Sequence, residues 1–189
     1  MHKVVRRVSA TDYPVTIEEL EAHLKVTDDD AYLTTLLATS TSMVERYLNR
    51  SLCTQEWTLY LDEWCYKILL PYSSIQSVES VSYYDLNGAL QVLSESEYYH
   101  VVTTDDPGHI QQRYDVTYPE LEEGKPDAIE IDYTAGYGDP EDVPAEIKHA
   151  IKLICTDLHE HRGELVTGSV NRIPNYVNSL CHSYKLYQF

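Results

Sequence analysis

Glycine is scarce in this chain, seven among 189 residues, and with it goes the phosphate-cradling loop that such residues build. Neither a nucleophile elbow nor a His-Glu-x-x-His zinc motif is present either. The four cysteines, Cys53, Cys65, Cys155 and Cys181, stand 12, 90 and 26 residues apart, which fits no short-range zinc or redox motif. In a reducing compartment such residues act as small buried hydrophobes. Long apolar runs are missing as well. The longest aliphatic run is Ile68-Leu69-Leu70, against the roughly 20 residues needed to cross a bilayer, so no membrane span is expected. The basic start, Met1-His2-Lys3-Val4-Val5-Arg6-Arg7, leads into no apolar stretch; it does not read as a secretory signal, and the chain is expected to stay in the cytoplasm where it is made.

Positive charge is short too. Fourteen basic residues face 31 acidic ones, a formal charge of -17, and residues 105–142 alone hold twelve acids and two bases. Such a surface repels phosphate and gains nothing from counterion release, which excludes an ordinary DNA binder. Phenylalanine occurs once and tryptophan twice, whereas tyrosine occurs seventeen times. A tyrosine ring offers large contact area while its hydroxyl tolerates water, so single tyrosines suit the rim of a small core, and the excess as a group suits surfaces buried on assembly. With 43% hydrophobic and 24% charged residues the composition is that of a folded protein, with room for one core or a core and a smaller satellite.

Two helices are expected first. Thr16 followed by Ile17-Glu18-Glu19 is a capping-box pattern opening a short helix over 17–25, with Ile17, Leu20 and Leu24 on one face. Asp28, Asp29 and Asp30 favour the positive end of a second, longer helix, whose apolar stripe runs Leu33, Leu36, Leu37, Ser40, Met43, Val44, Tyr47 and Leu48. From Ser51 the period shortens to two: Trp57, Leu59 and Leu61, then Val78, Val81 and Tyr83, then Ile129, Ile131 and Tyr133 predict strands. Asn87-Gly88 between Val81–Tyr84 and Leu90–Leu93 is a hairpin signal. Tyr98–Val102 and His109–Tyr114 are further strand candidates about a turn at Asp105–Gly108, and residues 115–127 read as an exposed acidic loop. Pro144 opens a third helix with Ile147, Ala150, Ile151, Ile154 and Leu158 inward, ending near Gly163; Pro174 opens a last one with Val177, Leu180 and Tyr184.

The expected fold class is α+β: a small helical bundle from the N- and C-terminal helices with an inserted antiparallel β-domain. The expected divisions are an N-terminal arm over 1–15, a bundle from 16–51 and 143–183, a β-rich domain over 52–142, and a C-terminal tail over 184–189. No catalytic, cofactor or metal site is expected. His159-Glu160-His161 lie about 200° apart on a helix, so the imidazoles diverge, and the acid pairs Asp62-Glu63 and Asp105-Asp106 are the adjacency that 31 acids bring by chance.

The order and spacing of several segments resemble the head-to-tail adaptor (connector) proteins of long-tailed bacteriophages and of phage-derived gene-transfer particles. They are Thr16-Ile17-Glu18-Glu19-Leu20-Glu21-Ala22-His23-Leu24-Lys25-Val26; Val44-Glu45-Arg46-Tyr47-Leu48-Asn49-Arg50-Ser51-Leu52 with Gln55 and Trp57 after it; Ser80-Val81-Ser82-Tyr83-Tyr84-Asp85-Leu86-Asn87-Gly88; Tyr133-Thr134-Ala135-Gly136-Tyr137-Gly138; and Val143-Pro144-Ala145-Glu146-Ile147-Lys148-His149-Ala150-Ile151. The similarity covers residues 16–184. It departs at the end of the third helix, where His159-Glu160-His161-Arg162 lacks the family's aromatic, and in the longer acidic loop.

The resemblance implies a non-enzymatic virion subunit, made in the bacterial cytoplasm, that forms a homo-oligomeric ring of twelve copies in the neck below the portal protein. It would offer a platform to stopper or tail proteins and let double-stranded DNA pass without specific binding. Docking on the portal is expected through the C-terminal residues Tyr184, Lys185, Leu186, Tyr187 and Phe189, with the termini ordering on docking. Asp105, Asp106, Glu120, Glu122 and Glu123 are the candidates to face the DNA channel. The alternatives are a stopper or tail-terminator ring protein of the same neck, a carboxylate-dependent metal hydrolase, and a surface-binding adhesin-like module.

Overall fold

In the computed structural model, residues 3–27, 30–161 and 175–187 are described. Their order is β1 (Lys3–Val8), α1 (Ile17–Leu24), α2 (Asp30–Leu48), β2 (Gln55–Leu61), β3 (Lys67–Leu69), β4 (Ile75–Tyr84), β5 (Leu90–Val92), α3 (Glu95–Tyr98), β6 (Tyr99–Val102), β7 (His109–Gln112), β8 (Ile129–Ala135), α4 (Ala145–Glu160) and α5 (Asn175–Cys181). Helices with antiparallel sheets make this an α+β protein, as its periodicities imply. The chain divides into two units, one of Met1–Ala10 with Thr54–Tyr137, the other of Thr11–Cys53 with Gly138–Phe189.

In the helical unit, α1 starts where the Thr16 hydroxyl accepts the Glu19 amide (3.2 Å), one half of the expected capping box. It stops at Lys25, whose left-handed backbone (φ 57°) ends the helix and lets the Val26 amide reach the Glu21 carbonyl at 3.3 Å. Helix α2 buries Leu33, Leu36, Leu37, Ser40, Thr41, Val44 and Leu48, the predicted stripe with Thr41 added, while Met43 and Tyr47 remain half-buried. Its outward threonines turn their hydroxyls back on the helix: Thr34, Thr35 and Thr39 donate to the carbonyls of Asp30, Ala31 and Thr35 at 2.7–2.9 Å. Small side chains let α2 and α4 approach closely, since the buried Cys155 thiol lies 3.2 Å from Ser40 Oγ. Helix α4 buries Ile147, Ala150, Ile151, Ile154 and Cys155. Pro144 is its N-cap residue, one position earlier than the first-turn place expected. Asp28, Asp29, Gly163 and Pro174, expected at helix ends, lie outside the described residues.

The β-unit holds a five-stranded sheet in the order β1-β2-β8-β4-β5 and a three-stranded sheet in the order β3-β7-β6. In the five-stranded sheet, Trp57 faces Tyr133, Leu59 faces Ile131 and Leu61 faces Ile129 across the β2–β8 ladder. These side chains point into one core with Ile68, Leu70, Val81, Leu93, Tyr99, Ile110 and Tyr118. The intervening residues Glu130, Asp132 and Thr134 point to the other face, the alternation of a sheet that is apolar on one side only. Tyr133 is fully buried, and its hydroxyl donates to the Pro71 carbonyl (3.0 Å), which removes the cost of an unpaired polar group in that core. Trp64 stacks on Tyr118 with ring centroids 4.4 Å apart and donates its indole N–H to the Pro119 carbonyl, fastening the acidic loop.

Three elements differ from expectation. Lys3–Val8, expected as a free arm, is edge strand β1 on β2; its Lys-Val-Val-Arg-Arg-Val lettering has no clean two-residue alternation, so pattern alone does not show it. Helix α3 is one turn between β5 and β6 where only a strand start was expected. Strand β3, three residues overlapping the aliphatic run at Ile68 and Leu69, pairs with β7.

Candidate functional site

Among the described residues no group of three or more His, Cys, Asp or Glu side chains converges on a metal position, and no helix is long and apolar enough to cross a membrane. His159 and His161 point to separate partners. The first lies against Tyr32, whose hydroxyl is 3.5 Å from Nδ1; the second lies 2.8 Å from the Asp157 carbonyl.

The C-terminal residues form the first candidate surface. The Leu186 amide donates to the Leu48 carbonyl (2.9 Å), its carbonyl accepts from Asn49 Nδ2 (3.0 Å), and its side chain is 8% exposed. Arg50 Nε donates to the Tyr184 carbonyl. The Tyr184 hydroxyl donates to Glu146 at 3.1 Å, and burial together with that carboxylate raises its pKa. Lys185 lies over the Tyr47 ring, 4.5 Å from its centroid. Four of the five expected docking residues are thus seen, and all four have partners inside the helical unit, Tyr187 through its hydroxyl 3.3 Å from His182 Nδ1. Tyr187 is 52% exposed, and Phe189 lies outside the described residues. A segment expected to order only on docking is folded onto the end of α2.

The acids expected to face a channel all belong to the β-unit, in two different loops, one between β6 and β7 and one between β7 and β8. Asp105 sits by the three-stranded sheet, its carboxylate 3.6 Å from Nδ1 of buried His109. Burial lowers the His109 pKa, and Asp105 opposes that shift. Glu122 sits by the five-stranded sheet: its amide donates to the Tyr84 carbonyl, its carboxylate pairs with Lys125 at 3.2 Å, and Lys125 in turn lies 4.0 Å from the Tyr84 ring centroid. Asp105, Asp106, Glu120 and Glu123 are exposed, whereas Glu122 is half-buried. The structure therefore separates the half-buried Glu122, which braces a loop, from the exposed carboxylates.

A third surface was not foreseen. The β4–β5 hairpin turns through Asp85–Gly88, with the Gly88 amide on the Asp85 carbonyl (2.8 Å) and Gly88 at φ +74°, a conformation glycine adopts without strain. The Asp85 carboxylate accepts the amides of Asn87 and Ala89 and the Gln91 side chain at 2.9–3.0 Å, and those bonds, led by the one from Ala89, lower its pKa. Beyond this well-bonded turn, Leu86, Leu90 and Val92 are 61%, 53% and 73% exposed. At the opposite edge Val5 and Val8 are also exposed, among Lys3, Arg6 and Arg7. Alternating Leu-Gln-Val reads alike whether its apolar face meets a core or stands open, so the sequence held no signal for this.

A helical unit built from both flanks of a strand-rich unit defines a class of two-unit α+β proteins. Residues 15–163 match the family model described as head completion protein, and the chain belongs to that family. It shares its fold with chains in three solved assemblies. One is the virion of a native gene transfer agent (GTA) particle (TM-score 0.78, 17% identity, covering 98% of this chain and 96% of that one). Another is the neck of an empty GTA particle computed with C6 symmetry (0.77, 21%, 100% and 97%). The third is the neck of a native GTA particle computed with C12 symmetry (0.75, 21%, 100% and 97%). The search of curated proteins finds no match.

Proposed function

We propose that this chain is a structural neck subunit of a phage-like particle, an adaptor whose copies form a ring of twelve below the portal and join the DNA-filled head to the tail. The observation that carries the reading is that one family model spans residues 15–163, while the fold of the whole chain matches a component of a neck with twelvefold symmetry. The site supports the same reading, because it offers exposed strand edges, tyrosines and carboxylates for contact with other chains. Localisation in the virion neck follows from it, with stopper or tail proteins as the further partners.

Mass measurement of the purified chain, alone and mixed with portal, tests the proposal. Assembly into a ring of about twelve on the portal is expected; a chain that joins only after another ring already sits on the portal is a stopper, and one that binds neither overturns the reading. Docking is assigned to the last residues of the chain, where Tyr187 is half exposed and rests edge-on against His182. Deleting residues 187–189 is expected to abolish recovery on DNA-filled heads without unfolding the bundle. Passing DNA meets the exposed Asp105, Asp106, Glu120 and Glu123, whose carboxylates make no lasting phosphate contacts. Reversing their charge is expected to slow DNA release, and release at an unchanged rate in every such variant would remove them from the channel.

A further inference from the structure

The two edges of the five-stranded sheet are unlike, and the difference points to a partner. Edge strand β1 carries Lys3, Arg6 and Arg7, a charge of +3 within residues 3–8 with no acid. Around the other edge, residues 84–98 hold Asp85, Glu95 and Glu97 and no base, a charge of −3. Strand β5 itself, Leu90-Gln91-Val92, has no charge and is exposed along its length. Sheet edges are usually guarded, because a free row of amides and carbonyls recruits another strand. On β1 Lys3 pairs with Asp127 at 3.4 Å and Arg7 with Asp132 at 2.9 Å, yet Lys3 and Arg7 stay half exposed and Arg6 adds a further positive charge. Strand β5 instead has two large apolar side chains facing outward and nothing across its open edge among the described residues.

From this we infer that β5 of one copy pairs with β1 of the next, so that the sheet continues from copy to copy around the ring. Like charges disfavour β1 on β1 and β5 on β5, and the opposite charges favour β1 on β5. A contact between two different patches of the same chain is heterologous and generates a ring when its rotation closes. The register fixes which side chains meet. Val5 faces Thr58, Thr58 faces Asp132, Asp132 faces Ser80, and Ser82, two residues on, faces Val92. Val5, Leu90 and Val92 therefore project from the same side of the sheet, away from its apolar core. Four successive antiparallel pairings leave β1 and β5 running in the same direction, so copies related by rotation join them as a parallel pair. About three residues of ladder form, with Val5 packed against Leu90 and Val92 and the cations of β1 near Glu95 and Glu97.

The inference rests on the ring reading, and cross-linking separates the two. Val5→Cys is combined with Leu90→Cys or Val92→Cys in a Cys65→Ser background, which removes the one native thiol that is not buried. The variants are oxidised mildly in portal-bound assemblies whose native mass has been measured. A covalent ladder in steps of one chain mass, 21.8 kDa, is expected from at least one double variant and from neither single variant. A ring of full mass that gives no ladder overturns the edge pairing and leaves the ring standing; a chain that never assembles overturns both. Glu95→Lys with Glu97→Lys gives an independent measure that leaves β1 and β5 untouched: association at least tenfold weaker at low salt is expected, and unchanged association counts against the pairing.

Discussion

Leu186 in the C-terminal segment and Val92 in the β4–β5 hairpin are both aliphatic residues outside the long elements, yet the first is 8% exposed and the second 73%. The difference lies in what the backbone next to each side chain can do. Leu186 is bonded through both its amide and its carbonyl to residues at the end of α2, so docking the segment satisfies polar groups and buries its side chain in one step. The hairpin is bonded just as fully, but inwardly, through Asp85 and the β4 ladder, and no described element covers its outer face. A terminus can thus belong to the fold while a mid-chain hairpin is left for a partner, the reverse of what position in the chain suggests.

Truncating the two side chains is the strongest way to break that comparison. Leu186→Ala is expected to destabilise the helical unit by about 2–4 kcal/mol, the range for a buried leucine that loses its contacts and leaves a cavity, whereas Val92→Ala stays within about 0.5 kcal/mol of the parent, as surface changes do. Urea unfolding followed by helical circular dichroism measures both. If the two changes cost the same, the distinction between a folded tail and a presented hairpin is wrong.

A smaller effect, on the order of 1–2 kcal/mol, is expected in the β-unit from Tyr133→Phe, which removes the hydroxyl bonded to Pro71 and leaves that carbonyl without its partner. Thermal unfolding reads it, and a loss confined to the strand signal sharpens the division between units. Tyr133 also shows what the sequence could convey. Its alternation with Ile129 and Ile131 placed it on the inward face of a strand, because a two-residue period maps directly onto the faces of a sheet. The hydroxyl's partner, 62 residues away, is set by tertiary packing that no local pattern encodes. The same limit explains the rest. The stripe from Leu33 to Leu48 and the run Ile147–Ile154 were legible because one helix face needs a core. Strand β1 was not, because its partner β2 is about 50 residues on and its valines and arginines do not alternate. The acids were legible as a charge, but only packing distinguishes Glu122, held by Lys125, from its exposed neighbours.

Alkali sharpens the comparison between units, since each holds protonated groups that burial keeps from ionising. In the helical unit burial pushes Cys181 from about 9 up to about 11 and Cys53 to about 12. In the β-unit burial pushes Tyr99 and Tyr118 from about 10 up to about 12. A folded-state pKa above the unfolded one means that the unfolded chain releases its proton first. The contribution is complete below the unfolded value and is lost as pH rises through the folded one. The helical unit is therefore expected to weaken from about pH 9 and the β-unit from about pH 10, a difference readable by comparing helical and aromatic circular dichroism during titration. Cys181→Ala should make the first loss smaller while Cys53 keeps its onset near pH 9, and simultaneous loss of both signals in parent and variant would argue against separate thresholds.

The smallest effect on stability is expected where the effect on assembly is greatest. Leu90→Ser with Val92→Ser removes two exposed aliphatic side chains whose backbone ladder to β4 stays intact, so the isolated chain should unfold within about 0.5 kcal/mol of the parent. A neighbour's Val5 would lose the apolar surface it covers, and two side chains of this size are worth about 1.5–3 kcal/mol each when fully buried, enough to weaken each ring contact tenfold or more. Native mass measured on the portal-bound chain against urea unfolding of the free chain separates the two. If stability falls while rings persist, the hairpin serves its own unit as Leu186 does. If stability holds and rings fail, the hairpin's exposure is the other half of a contact that one copy cannot make alone.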